Sequence, residues 1–82
     1  MRLDKYLKVS RLIKRRTVAN EACDAGKVFV NGKPARASYD VKIDDIITMT
    51  LGMRSLRVQV VSVQETVTKN DAALLYCVLP EE

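Results

Sequence analysis

Histidine and tryptophan are absent from the 82 residues, and cysteine occurs only as Cys23 and Cys77. With no histidine and no close pair of cysteines, the chain has neither a zinc-ligand pattern nor the parts of a Cys–His nucleophile. The two thiols are expected to be buried, free and held in a reducing compartment. Aromatic residues are few: Tyr6, Phe29, Tyr39 and Tyr76. Tyr6 and Phe29 read as core, and no row of rings is available to stack single-stranded bases. No apolar run approaches the ~20 residues of a membrane-spanning helix. Charges interrupt every apolar run in residues 1–15, so no signal peptide is expected and the expected location is cytoplasmic. Repeats, linkers and low-complexity segments are also missing. A chain this short is expected to form one domain over residues 1–82, with no room for a catalytic unit beside a binding one. The expectation is therefore a protein that is not an enzyme and needs no cofactor or metal.

What the chain does have is segregated positive charge. Residues 1–42 hold eleven Lys and Arg against Asp4, Glu21, Asp24 and Asp40, a balance of +7. Residues 43–82 reverse the sign to −3, with Arg54, Arg57 and Lys69 against six acids. A segregated basic half points to a polyanionic partner, nucleic acid or an anionic surface.

The stretch RLDKYLKVSRLIKRR, residues 2–16, carries this charge. On a helix Leu3, Tyr6 and Leu7 share one face with Ser10 beside them, while Arg2, Lys5 and Lys8 lie on the other. Continued at about 100° per residue, the pattern fails. Leu12 lands nearly opposite Leu7, and Lys14 turns into the apolar face. A break near Ser10–Leu12 is expected, then a second helix from about Arg15–Thr17 to Ala25. Its apolar side is Val18, Ala19, Ala22 and Cys23, with Asn20, Glu21 and Asp24 outward and Gly26 as its stop. The free amides at its start would sit beside Lys14, Arg15 and Arg16, a combination suited to phosphate.

Strands follow. Val28–Val30 leads into Asn31-Gly32, a strong two-residue hairpin signal. Pro34 restricts the return arm to an edge or irregular strand. Asp44-Asp45 reads as a turn, Ile46–Leu51 as a half-buried strand, and the GMRS segment, residues 52–55, as the next turn. Leu56, Val58 and Val60 alternate with Arg57 and Gln59 in another strand. Residues 65–73 are polar and loop-like, and Leu74–Leu79 reads as the last strand, ended by Pro80. The expected fold is α+β: two short N-terminal helices packed on one face of a small, mainly antiparallel sheet.

RLDKYL, the basic opening of a second helix and AGKVFVNGKPA together resemble the S-four RNA-binding domain family, best over residues 2–51. Two local departures stand out. Arg15-Arg16-Thr17 replaces the Ser/Thr-Arg that many members carry, and Ile43-Asp44-Asp45 replaces their Pro-Gly-Asp. The full length looks most like the stand-alone members that serve bacterial ribosome quality control at the P site. The heat-shock recycling members are similar but usually carry a basic C-terminal extension, so the ending in Glu81-Glu82 favours the quality-control group. This resemblance implies as partners the large ribosomal subunit, its ribosomal RNA and the P-site tRNA, with the alanine-tailing factor as functional partner. It implies a monomer acting after stalled ribosomes split.

The expected RNA contacts are Arg2, Lys5, Lys8, Arg11, Lys14, Arg15 and Arg16, extended along the hairpin by Lys27 and Lys33; the resemblance puts Arg2 and Arg16 first. Arginine offers the bidentate phosphate contacts that lysine lacks. Asp4 has two readings. It either orients a cation such as Lys8 at i+4 and complements the helix N-terminus, or accepts a hydrogen bond from RNA directly. Asn31 reads as a turn residue. Three other roles remain open: a heat-shock-type recycling factor, an RNA-targeting partner of an RNA-modifying enzyme, and a membrane-surface binder. The last is disfavoured because the first helix has no exposed bulky apolar wedge.

Overall fold

The break after the first helix places the basic segment. In the computed structural model, which describes residues 1–65, 68 and 70–80, helix α1 spans Leu3–Val9 and helix α2 spans Arg16–Asp24. Leu3, Tyr6, Leu7 and Ser10 are all buried, as the helical spacing requires. At Arg11 the backbone turns left-handed, with φ 62°. The Arg11 amide donates to the Lys8 carbonyl at 3.0 Å, a bond of the helix-ending Schellman type. The turn buries Ile13 and leaves Lys14 exposed, resolving the conflict that a continuous helix would create.

Helix α2 ends as glycine dictates. Gly26 has φ 74°, the Gly26 amide donates to the Cys23 carbonyl, and the Lys27 amide to the Ala22 carbonyl, both at 3.0 Å. Those two bonds complete a Schellman motif. Ala19 and Cys23 face the core. Two expectations for this helix fail. Val18 points to solvent at 44% exposure, and Asn20 turns toward α1 rather than outward. The helix docks on α1 through its Asn20–Cys23 side, one step round from the side that hydrophobicity alone selects.

Strands β1 (Val28–Val30), β2 (Lys33–Pro34), β3 (Ile46–Leu51), β4 (Arg54–Val60) and β5 (Tyr76–Leu79) form one antiparallel sheet in the order β2-β1-β3-β4-β5. Asn31 and Gly32 have φ 54° and 82°, both positive as a type I′ turn demands, and Pro34 lies on the edge strand. Val28, Val30, Ile47, Met49, Val58 and Val60 line the inner face and join Leu3, Tyr6, Leu7, Ala19 and Cys23 in one core. The Tyr6 hydroxyl crosses that core and donates to the Leu75 carbonyl at 2.7 Å.

Four other details differ from the sequence reading. The turn before β4 is only Gly52-Met53, since Arg54 already pairs with Leu51. The last strand begins at Tyr76, because Ala72–Leu75 forms a 3-10 turn. Its Leu75 carbonyl is occupied by the Val61 and Ser62 amides and by Tyr6. Phe29 alternates onto the face away from the helices, beside Thr48, and is only half-buried. Cys77 pairs with Gln59 on that same face and is exposed, so only Cys23 is a buried thiol. Within the polar stretch 65–73, residues 66, 67 and 69 lie outside the described residues, as do Glu81 and Glu82. No described helix is long and apolar enough to cross a membrane.

Candidate RNA-binding interface

Asp4 is the hub of the basic segment. Its residue is 2% exposed, yet its carboxylate accepts six hydrogen bonds. Arg2 Nε donates to Oδ1 at 3.2 Å and Arg2 Nη2 to Oδ2 at 3.4 Å. Arg16 Nε donates to Oδ2 at 3.3 Å and Arg16 Nη2 to Oδ1 at 3.5 Å. Asn20 Nδ2 adds a bond to Oδ2 at 3.3 Å, and the Lys5 amide one to Oδ1 at 2.8 Å. Burial is the largest single influence on this carboxyl and pushes its pKa up. The bonds from Arg16, Asn20, the Lys5 amide and Arg2 outweigh it, so the net shift is downward and Asp4 stays ionised at neutral pH.

The geometry divides the labour between buried acceptor and exposed donors. The Asp4 side chain is 3% exposed, those of Arg2 and Arg16 51% and 45%. A guanidinium has five N–H donors, so with two directed at Asp4 each retains about three for the outside. Because both cations stay largely in solvent, which screens the attraction, the pairing itself is a modest source of stability. The gain here is orientation: two planar forks, one from the start of each helix, are held at fixed angles for bidentate contact with phosphate.

Around this hub the side chains of Lys8, Arg11, Lys14 and Arg15 are exposed and have no hydrogen-bond or ion-pair partner among the described residues. The start of α2 adds backbone donors. Arg15, its N-cap, is extended and supplies no side-chain cap. The amides of Arg16, Thr17 and Val18 have no acceptor among the described residues. At α1 the contrast is complete: the Leu3 and Asp4 amides donate to the carbonyls of Tyr39 and Ala37 at 2.8 and 3.2 Å, and the Lys5 amide is taken by Asp4. The open, positive helix end is therefore that of α2, beside Arg15 and Arg16.

The structure brings Arg2, Asp4 and Arg16 together, and Lys5 joins by its backbone only. The Lys5 ammonium pairs with Glu65 instead. Asp4 does orient neighbouring cations, but they are Arg2 and Arg16 rather than Lys8 at i+4, which makes no bond to it. Lys27 and Lys33 are exposed and make no bond to the Asp4 cluster. Asn31 does more than turn the chain: its Oδ1 accepts from the Ile46 amide and its Nδ2 donates to Asp45. Asn20, which the hydrophobic pattern places outward, completes the hub. Its spacing of four from Arg16 puts both on one helical face, and that signal was present in the sequence.

Burial, then the nearby charges of Asp4 and Asp24, push the Cys23 thiol up to about 11, so it stays protonated and inert at neutral pH. No cluster of potential metal ligands occurs among the described residues.

Comparison with known proteins matches residues 1–47 to the S4 domain. The RQC P-site tRNA stabilizing factor of Bacillus subtilis is 51% identical over 82 residues, covering 100% of this chain and 95% of that protein. Heat shock protein 15 of Escherichia coli is 35% identical over 78 residues, covering 93% of this chain and 58% of that protein. Among solved structures, the trimeric structure of Vibrio cholerae heat shock protein 15 superposes with a TM-score of 0.90 at 30% identity, covering 96% of this chain and 81% of that one.

Proposed function

The chain belongs to the S4 domain family, and from that premise we propose that it is a non-catalytic RNA-binding factor of ribosome quality control. It binds the large ribosomal subunit in the cytoplasm after a stalled ribosome splits. It holds the P-site tRNA against ribosomal RNA while the tailing factor extends the nascent chain with alanine. The whole of residues 1–82 acts as one domain, and a single copy suffices.

One observation carries this reading: Asp4 fixes the Arg2 and Arg16 guanidinium groups outward, next to four cations and the α2 amides that have no partner among the described residues. A preset array of this kind matches phosphates at fixed spacing and reads the shape of folded RNA rather than its sequence. The 51% identity to a P-site tRNA stabilizing factor along the full chain supports the choice of tRNA and ribosome as its RNA. The likeness to heat shock protein 15 supports a second reading, a recycling factor of blocked large subunits. Alanine tailing separates the two, since only the first requires this protein for it.

Titration of purified large subunits at a series of salt concentrations tests the electrostatic core of the proposal. With about six phosphate contacts, affinity should fall roughly a thousandfold between 50 and 200 mM salt. A flat salt dependence would remove the basic array from the binding surface.

A further inference from the structure

A concavity lies outside the helical array. The β1–β2 hairpin and the segment that follows it enclose a shallow groove of ≈ 650 Å³, lined among others by Asn31, Lys33, Pro34, Arg36, Ser38 and Tyr39. That size lies within the usual range for small-ligand sites, ~300–1,000 Å³. We propose that this groove seats one unstacked nucleotide of single-stranded RNA, with Lys33 and Arg36 on its phosphate, Ser38 on its ribose and the Tyr39 ring beside its base.

Three observations support the assignment. First, the walls are fixed from behind. Asp45, 8% exposed, accepts from Asn31 Nδ2 at 3.1 Å, from the Tyr39 hydroxyl at 2.9 Å and from the Lys42 amide at 3.0 Å. One carboxylate thus ties both sides of the groove to the turn before β3, as Asp4 ties the two arginines. Second, the lining retains unused chemistry. The side chains of Lys33, Arg36 and Ser38 are exposed and have no hydrogen-bond or ion-pair partner among the described residues, while the half-buried Tyr39 ring packs on the core and lines the groove. Two cations, a hydroxyl and an aromatic ring match the phosphate, sugar and base of one nucleotide. Third, the groove is joined to the helical array through the backbone. The Ala37 carbonyl, between Arg36 and Ser38, accepts the Asp4 amide, and the Tyr39 carbonyl accepts the Leu3 amide. An RNA held by Arg2 therefore has a splayed nucleotide's seat on the adjoining segment.

The choice of RNA as the polyanion rests on the proposed function, and the test separates the two. Isotope-labelled full-length chain is titrated with a short oligouridylate and followed by amide chemical shifts. The expected result is a set of shifts at residues 31–39 that persists in Arg16→Ala and weakens about tenfold in the double variant Lys33→Ala/Arg36→Ala, the scale of losing charge-assisted phosphate contacts. Both substituted residues are exposed, so the double variant should keep its fold, which its remaining spectrum reports. Shifts confined to residues 2–20, undiminished binding by the double variant, or equal shifts with an equally charged glutamate peptide would each overturn the groove assignment. Loss of large-subunit binding with the groove shifts intact would count against the proposed function alone.

Discussion

Asp4 Oδ2 lies 3.3 Å from Nε of Arg16, twelve residues downstream on the other helix. That bond sets a buried acid inside a basic face, and its consequence runs against simple charge counting. Removing the acid raises the net charge from +4 to +5 and should strengthen non-specific attraction to RNA. The geometry requires the opposite. Asp4→Ala frees both guanidinium groups and strands the Asn20 amide. Affinity for large subunits should fall about tenfold, with ~1–3 kcal/mol lost from stability. Binding isotherms beside urea unfolding of the same variant check both numbers; tighter binding would show that the cations act as loose charges.

The same carboxyl sets an acid limit. Its folded pKa lies below its ordinary value of 3.8. A depressed pKa gives stability that is fully present above the unfolded value and lost as pH falls through the folded one. The advantage of the wild type over Asp4→Asn should stay constant from neutral pH down to about 5 and vanish only below about 4. Unfolding midpoints of both proteins across that range measure it. An advantage that fades between pH 7 and 5 would assign the titration elsewhere.

Arg11 occupies a left-handed backbone position at φ 62° without being glycine. That conformation costs an ordinary residue roughly 1–2 kcal/mol, partly offset by the greater freedom glycine brings to the unfolded chain. Arg11→Gly should therefore leave the protein as stable or up to ~1 kcal/mol more stable, while binding to large subunits weakens. Urea midpoints and subunit affinity together test this trade between fold and charge.

Tyr6 links α1 to the end of the 3-10 turn, 69 residues away. Removing its hydroxyl leaves the Leu75 carbonyl still bonded to the Val61 and Ser62 amides. Tyr6→Phe should therefore cost only about 0.5–1.5 kcal/mol, below the penalty for an orphaned acceptor. A loss above 3 kcal/mol in chemical denaturation would mean that the other two bonds do not hold the carbonyl.

Much of this architecture is legible because single residues dictate it. Lys14 cannot occupy the apolar face of a continued helix, which forces the break at Arg11. Gly26 and the Asn31-Gly32 pair each fix a backbone turn. What escapes the sequence depends on partners distant in the chain. Val18 faces out because α2 docks through Asn20 and Cys23. Phe29 and Cys77 follow strand parity, since each pairs across the sheet on the face the helices leave uncovered. Leu75 leaves the last strand because three donors converge on its carbonyl. The candidate site divides the same way. Its cations are visible as a run of charge, whereas the choice of Arg2 and Arg16 over Lys8 as Asp4's partners follows from how two helices meet.

The most direct measurement is sedimentation of cell lysate at physiological salt, following the tagged wild type and Arg16→Ala and probing each fraction for peptidyl-tRNA. The expected result is wild type on free large subunits that carry peptidyl-tRNA, with Arg16→Ala released to the top of the gradient. Wild type remaining at the top in both low and moderate salt, or Arg16→Ala sedimenting unchanged, would contradict the proposed role of this interface.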